Sequence, residues 1–106
     1  MKVKIPKTVK FLTHTYKIRF DSTALNSQGT QGMVRHIYQD IILDKDHTAK
    51  SETDQIFLHE YIHIIERHTG MKLDDSDIER ITEGLAELLF TSLGIEFDWS
   101  LIKEAP

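Results

Sequence analysis

Residues 51–69 carry apolar side chains on two nearly opposite faces of one helix. Leu58, Ile62 and Ile65 form one stripe, and Phe57, Tyr61 and Ile64 form the other. A helix that is apolar on two faces is stable only between two other layers of the fold. Ser51 and Asp54 are spaced as a capping-box-like pair at its start, and Gly70 suits the left-handed position just past its end. The same segment contains His59-Glu60-Tyr61-Ile62-His63, whose two histidines lie between the stripes, at the edge of the first. Four residues advance about 400°, so the two histidines differ by roughly 40° and share a face. Both imidazoles can then reach one cation. Glu60 is turned about 100° from His59, beside the cation rather than on it.

This spacing is that of HExxH zinc sites, in which the glutamate is a base and not a ligand. It makes Zn²⁺ the expected metal. The chain has no cysteine, so thiolate sites and disulfides are excluded and any metal must be held by His, Asp or Glu. At 106 residues, 40% of them hydrophobic, the chain is read as one domain over 1–106 with a real core. Nothing at its start has the form of a signal peptide, and no apolar run approaches the ~20 residues that span a bilayer. The expected location is the cytoplasm, with no membrane partner.

Charge is unevenly spread. Residues 1–19 hold Lys2, Lys4, Lys7, Lys10, Lys17 and Arg19 and no acid, while the whole chain carries −4. Alternation with apolar neighbours makes these cations the solvated face of strands. No nucleic-acid partner is expected.

Val3-Lys4-Ile5 and Tyr16-Lys17-Ile18-Arg19-Phe20 alternate as half-buried strands. Residues 26–32 are polar with two glycines and read as a loop between strands. β character returns over 33–43, with either a tight turn near Gln39-Asp40 or one bent strand. Asp44-Lys45-Asp46-His47-Thr48 hints at a calcium loop but lacks its glycine and its bidentate glutamate, so it is set aside. A second helix opens at Asp74-Asp75-Ser76-Asp77, whose acids suit its positive end. Its core stripe by spacing is Ile78, Ile81, Leu85, Leu88, Leu89 and Ser92, and Gly94 ends it. Residues 95–101 are a short strand or a packed tail. The fold class that follows is α+β: a small antiparallel sheet, then the HExxH helix, then a second packed helix.

A catalytic zinc keeps three protein ligands and one open position. His68 lies about 180° around the helix from His59 and faces away. The second helix offers Glu79, Glu83 and Glu87. Glu79 and Glu83 share a face and Glu87 lies further round. Spacing alone leaves Glu79 and Glu83 equivalent.

The pentapeptide at 59–63, then Gly70, then Ile78-Glu79-Arg80-Ile81-Thr82-Glu83-Gly84-Leu85, resembles small phage and prophage zinc-metallopeptidase-like proteins. These are minimal gluzincins similar in core to the ImmA/IrrE-type metallopeptidases, and the resemblance covers roughly 33–93. It implies a minimal zincin core, a zinc held by His59, His63 and Glu79, with Glu83 as the alternate ligand or as a support behind it, and a cytoplasmic setting in a bacterial host.

The expected chemistry is hydrolysis of a peptide or protein substrate by a zinc-bound water, with Glu60 as general base. A peptide would lie antiparallel to an edge strand, for which Ile41–Leu43 is the candidate. His36, Tyr38 and Tyr16 are candidate donors to the developing oxyanion. The competing expectation is a non-catalytic binding or regulatory module stabilised by zinc on a peptidase-like fold.

Overall fold

The computed structural model describes residues 1–103. In chain order it contains β1 (Lys2–Lys4), β2 (Thr8–Phe11), β3 (His14–Phe20), α1 (Ser22–Gln28), β4 (Gly32–Arg35), β5 (Asp40–Leu43), α2 (Lys50–Thr69), α3 (Asp75–Ala86) and β6 (Glu96–Asp98). A π-helical stretch, Glu87–Ser92, continues α3. The class is α+β, as the sequence implies.

The main sheet has the order β2-β3-β5-β4. Its outer pairs are antiparallel but β3 and β5 run parallel, so the sheet is mixed rather than antiparallel. Parallel neighbours cannot be joined by a tight turn. The chain crosses over through α1, and β4 returns to the outer side of β5. Residues 26–32 therefore do not form one loop. Asp21 Oδ1 caps α1 by accepting from the Ala24 amide at 3.1 Å, and the helix closes at Gly29. Only Leu25 of α1 is buried, too little apolar periodicity to announce a helix. The tight turn between β4 and β5 is present, with Gln39 at φ 53°. β6 pairs in parallel with β1 as a separate two-stranded sheet.

Ile41-Ile42-Leu43 is not an edge. It is buried throughout and paired on both sides, the signature of a central strand. Ile41 and Leu43 stand opposite Ile18 and Phe20 and join Phe57 and Ile64 of α2 in the main core. Ile42, like Leu25, is buried outside that cluster, on a strand that also packs against α1. The free edge near α2 belongs to β4.

Helix α2 ends where expected, with Gly70 at φ 73° and its N–H on the Glu66 carbonyl. Its start differs. Ala49 is the N-cap and no side chain caps it. Asp54 is taken instead by Trp99 Nε1 at 2.7 Å and Lys50 Nζ at 2.9 Å. Trp99 comes from 45 residues away, which local spacing cannot reveal.

Helix α3 packs against α2, but only Ile78 of the expected stripe is fully buried. Its buried residues are Ile78, Thr82 and Ala86. Ile81, Leu85 and Leu88 are 42%, 38% and 49% exposed. Thr82 and Ala86 are small, which lets two helices approach closely; bulkier side chains are turned outward.

Close approach also governs β4 against α2. A Cβ on Gly32 would lie 2.3 Å from Ile56 Cγ2, inside any real contact. Gly32→Ala should destabilise the protein by about 1–3 kcal/mol, as overpacking does. Ile56→Ala in the same chain should make Gly32→Ala less damaging, measured by urea unfolding of all four variants. Equal effects of Gly32→Ala in both backgrounds would mean that β4 and α2 do not meet here.

Candidate metal centre

His59 and His63 lie one turn apart on α2 and converge. Their Nε2 atoms are 3.1 Å apart. Two nitrogens bound to one tetrahedral zinc at 2.0–2.1 Å stand about 3.3 Å apart, so the pair is close to chelating geometry. His63 Nδ1 donates to Glu66 Oε1 at 2.9 Å. A carboxylate only accepts, so a neutral His63 carries its proton on Nδ1 and presents a lone pair at Nε2. Glu66 Oε2 accepts from the Leu73 amide at 2.9 Å. One carboxylate thus orients the His63 imidazole and fastens the loop leading to α3. That loop amide, then His63, hold the Glu66 carboxyl below its ordinary range. Carboxylate–histidine pairs of this kind support metal ligands. Glu66 is not part of the HExxH pattern; its i,i+3 spacing from His63 is the sequence signal for it.

Burial lowers the proton affinity of His59, and His63 lowers it further; Glu79, Asp75 and Glu66 oppose them. A deprotonated imidazole is the form that binds metal. Glu79 is the acid that acts most strongly on His59.

Helix α3 borders the pair. Gln55, Ile56, His59, Glu79, Thr82 and Glu83 line an open depression of about 310 Å³. Thr82 Oγ1 is buried there with no hydrogen-bond partner among the described residues. Glu79 and Glu83 are exposed, and among the described residues no three of His, Asp and Glu are gathered closely enough to hold a metal as they stand. His59 and His63 are brought together; Glu79 and Glu83 share the depression with His59. A second concavity of about 350 Å³, floored by Phe20, Phe97 and Trp99, shares none of these residues.

Glu60 is 7% exposed and makes no hydrogen bond to a described residue. Burial pushes its carboxyl up to about 7, with His63 pulling the other way. A base with proton affinity near neutrality suits general acid–base work.

A second group of imidazoles lies beyond the pair. Tyr16 Oη is 2.8 Å from His68 Nε2 and 3.0 Å from His36 Nδ1. His14 stacks on His68 with ring centroids 3.7 Å apart. His68 thus belongs to a cluster apart from the His59–His63 pair. Tyr38 is 71% exposed and lies under the Arg35 guanidinium, so it stands apart from both groups. The Asp44 loop is closed on itself. Its carboxylate accepts from Ser22 Oγ, the Asp46 and His47 amides and Thr48 Oγ1.

No helix is long and apolar enough to cross a membrane, among the described residues.

The raised Glu60 pKa has a consequence for stability. The folded protein binds this proton more tightly than the unfolded chain, whose ordinary value is 4.5. Its contribution is full below that value and is lost as pH rises toward about 7. Glu60→Gln removes the dependence. In chelator, the unfolding free energy of wild type relative to Glu60→Gln should fall by on the order of 3 kcal/mol between about pH 4.5 and 7.5. Parallel pH curves from denaturant titrations would exclude a buried, charge-averse Glu60. Compared with family models, with curated proteins and with solved structures, the chain finds no match.

Proposed function

We propose that the protein is a zinc-dependent metallopeptidase-like hydrolase, a minimal gluzincin of the kind its sequence resembles. The observation that carries this reading is the convergence of His59 and His63 Nε2 at 3.1 Å, with Glu66 fixing the His63 tautomer and Glu60 buried beside them without a hydrogen bond to any described residue. A structural histidine pair has no need of a neighbouring buried carboxyl without a partner. Burying such a group is unfavourable, and active sites are where that is tolerated.

His59 and His63 would hold the zinc. Glu79 is the preferred third ligand, because it borders the same depression and acts most strongly on His59. Glu83 is the alternate. Bound zinc supplies Lewis acidity, which acidifies water and polarises a carbonyl. Glu60 accepts the proton of the attacking water and passes it to the leaving amine. Its pKa of about 7 suits both halves of that transfer.

Strand β4 gives a place for the substrate. It is an edge strand packed against α2, with Gly32 beside Ile56. His36, just past its end, and His68 near the end of α2 both meet the Tyr16 hydroxyl. β4 and α2 therefore run side by side in the same direction, and His59 falls between these points. An extended peptide hydrogen-bonded to the free edge of β4 would pass the histidine pair.

Purified protein should contain one zinc per chain, and His59→Ala should lose it. Glu60→Gln should keep the zinc and lose cleavage of unfolded casein. A wild-type chain without stoichiometric zinc defeats the reading. A zinc-loaded chain that cleaves nothing makes it a zinc-stabilised binding module instead.

Glu66→Ala should weaken zinc binding about 10–100-fold, as loss of a partner behind a ligand does. Competition with a chromogenic chelator measures it. Unchanged affinity would confine Glu66 to fastening the loop at Leu73.

A further inference from the structure

The cavity of about 350 Å³ that lies apart from the histidine pair is built by distant parts of the chain. Its floor is aromatic. Phe20 and Phe97 meet the Trp99 ring edge to face, with centroids 5.7 and 6.2 Å from it, and Phe57 crosses it at 5.3 Å. Trp99 is also clamped. Its Nε1–H donates to Oδ1 of the buried Asp54 at 2.7 Å, and swinging the indole away would take a donor from a buried carboxylate. Trp99 itself is only half-buried, so part of its ring is left for a ligand.

The hydroxyl protons of the cavity are already used. Thr48 Oγ1 donates to Asp44 Oδ2 at 3.1 Å, and Thr53 Oγ1 donates to backbone carbonyls. A hydroxyl has one proton to give, so recognition falls to the charges of the rim. These have both signs. Strand β6 brings Glu96 and Asp98, with Lys2 beside them on β1, and the segment entering α2 brings Lys45 and Lys50. Lys50 gives one N–H to Asp54 Oδ2 at 2.9 Å, so the carboxylate that clamps Trp99 also holds this ammonium near the indole. An ammonium has three donors, and two remain for a ligand. The Glu96 carboxylate makes no hydrogen bond or ion pair with a described residue. Asp98 stays ionised. The Ser100 amide and hydroxyl hold its carboxyl below the ordinary range, and Lys4 and Lys2 add to this.

We propose that this cavity binds a small aromatic zwitterion, an amino acid or dipeptide with one aromatic side chain. The ring lies against Trp99, the carboxylate accepts from Lys50, and the ammonium donates to Glu96 and Asp98. An anion with no ammonium would face the two acids of β6 uncompensated, and a cation with no carboxylate would face the lysines. Ligand pockets run from about 300 to 1,000 Å³, so this one admits a single molecule of that size. The site contains neither His59 nor His63 and does not rest on the peptidase reading.

Trp99 is the only tryptophan of the chain, so intrinsic tryptophan emission reports from the cavity floor. The full chain, held in chelator, is titrated with L-phenylalanine and separately with glycyl-phenylalanine. At least one should change the emission saturably, and the tighter of the two tells amino acid from dipeptide. Acetylating the ligand's ammonium, or amidating its carboxylate, should weaken binding at least about tenfold, as loss of one charged hydrogen bond does. Glu96→Gln, at an exposed position, should weaken the zwitterion by a similar factor and leave the acetylated ligand unaffected. Lys50→Gln should weaken the zwitterion and leave the amidated ligand unaffected, with urea unfolding checking that the fold is kept. No saturable change with either zwitterion overturns the site. An acetylated or amidated ligand that binds as tightly as its parent overturns the zwitterion assignment. Unchanged affinity in both Glu96→Gln and Lys50→Gln overturns the placement of the ligand in this cavity.

Discussion

Helix α2 has to be covered on two faces, and the rest of the fold follows from how that is done. One side lies on the sheet, where Phe57 and Ile64 meet Ile41, Leu43, Ile18 and Phe20. Another receives α3 through Ile78, Thr82 and Ala86. His59 and His63 sit at the seam, partly covered and still open enough to be reached, and burial there lowers the proton affinity of His59. A helix with a single apolar face would have put the same pentapeptide in water, where two histidines and a glutamate are three solvated side chains.

The seam also explains the electrostatics. Glu60 falls on the covered side of α2 and loses most of its hydration without gaining a hydrogen bond from a described residue. Glu66, two turns on, lies where it meets both His63 and the Leu73 amide. The two carboxyls share one helix and have opposite pKa shifts, because one is desolvated and the other is bonded. That separation is what the proposed roles, Glu60 as base and Glu66 as supporting acceptor, would require.

Much of this was legible in the chain. The helix over 51–69, its stop at Gly70, the second helix opening at Asp74 and the shared face of the histidines are local properties, governed by angle and capping. Errors arose where a residue's partner is distant. Asp54 reads as a cap, but Trp99 claims it from the other end of the chain. Ile41–Leu43 reads equally well as an edge or a centre, because apolar runs do not say how many neighbours a strand has. Hydrophobicity chose Ile81, Leu85 and Leu88 as the buried stripe of α3, whereas close helix packing selected the smaller Thr82 and Ala86. His68 was set aside by angle, and its true place with Tyr16 and His36 joins three separate elements of the chain.

By itself the sequence determined which residue types stand on which face of α2, since a helix converts spacing into direction with no help from the rest of the fold. It therefore supplied the histidine pair and the glutamate beside it. Tertiary structure alone decided which strand is the free edge and which acids of α3 border the depression. Those depend on strand order, on the parallel pairing of β3 and β5, and on how closely α3 approaches α2. Each is a contact between segments far apart in the chain, for which no local periodicity exists to be read.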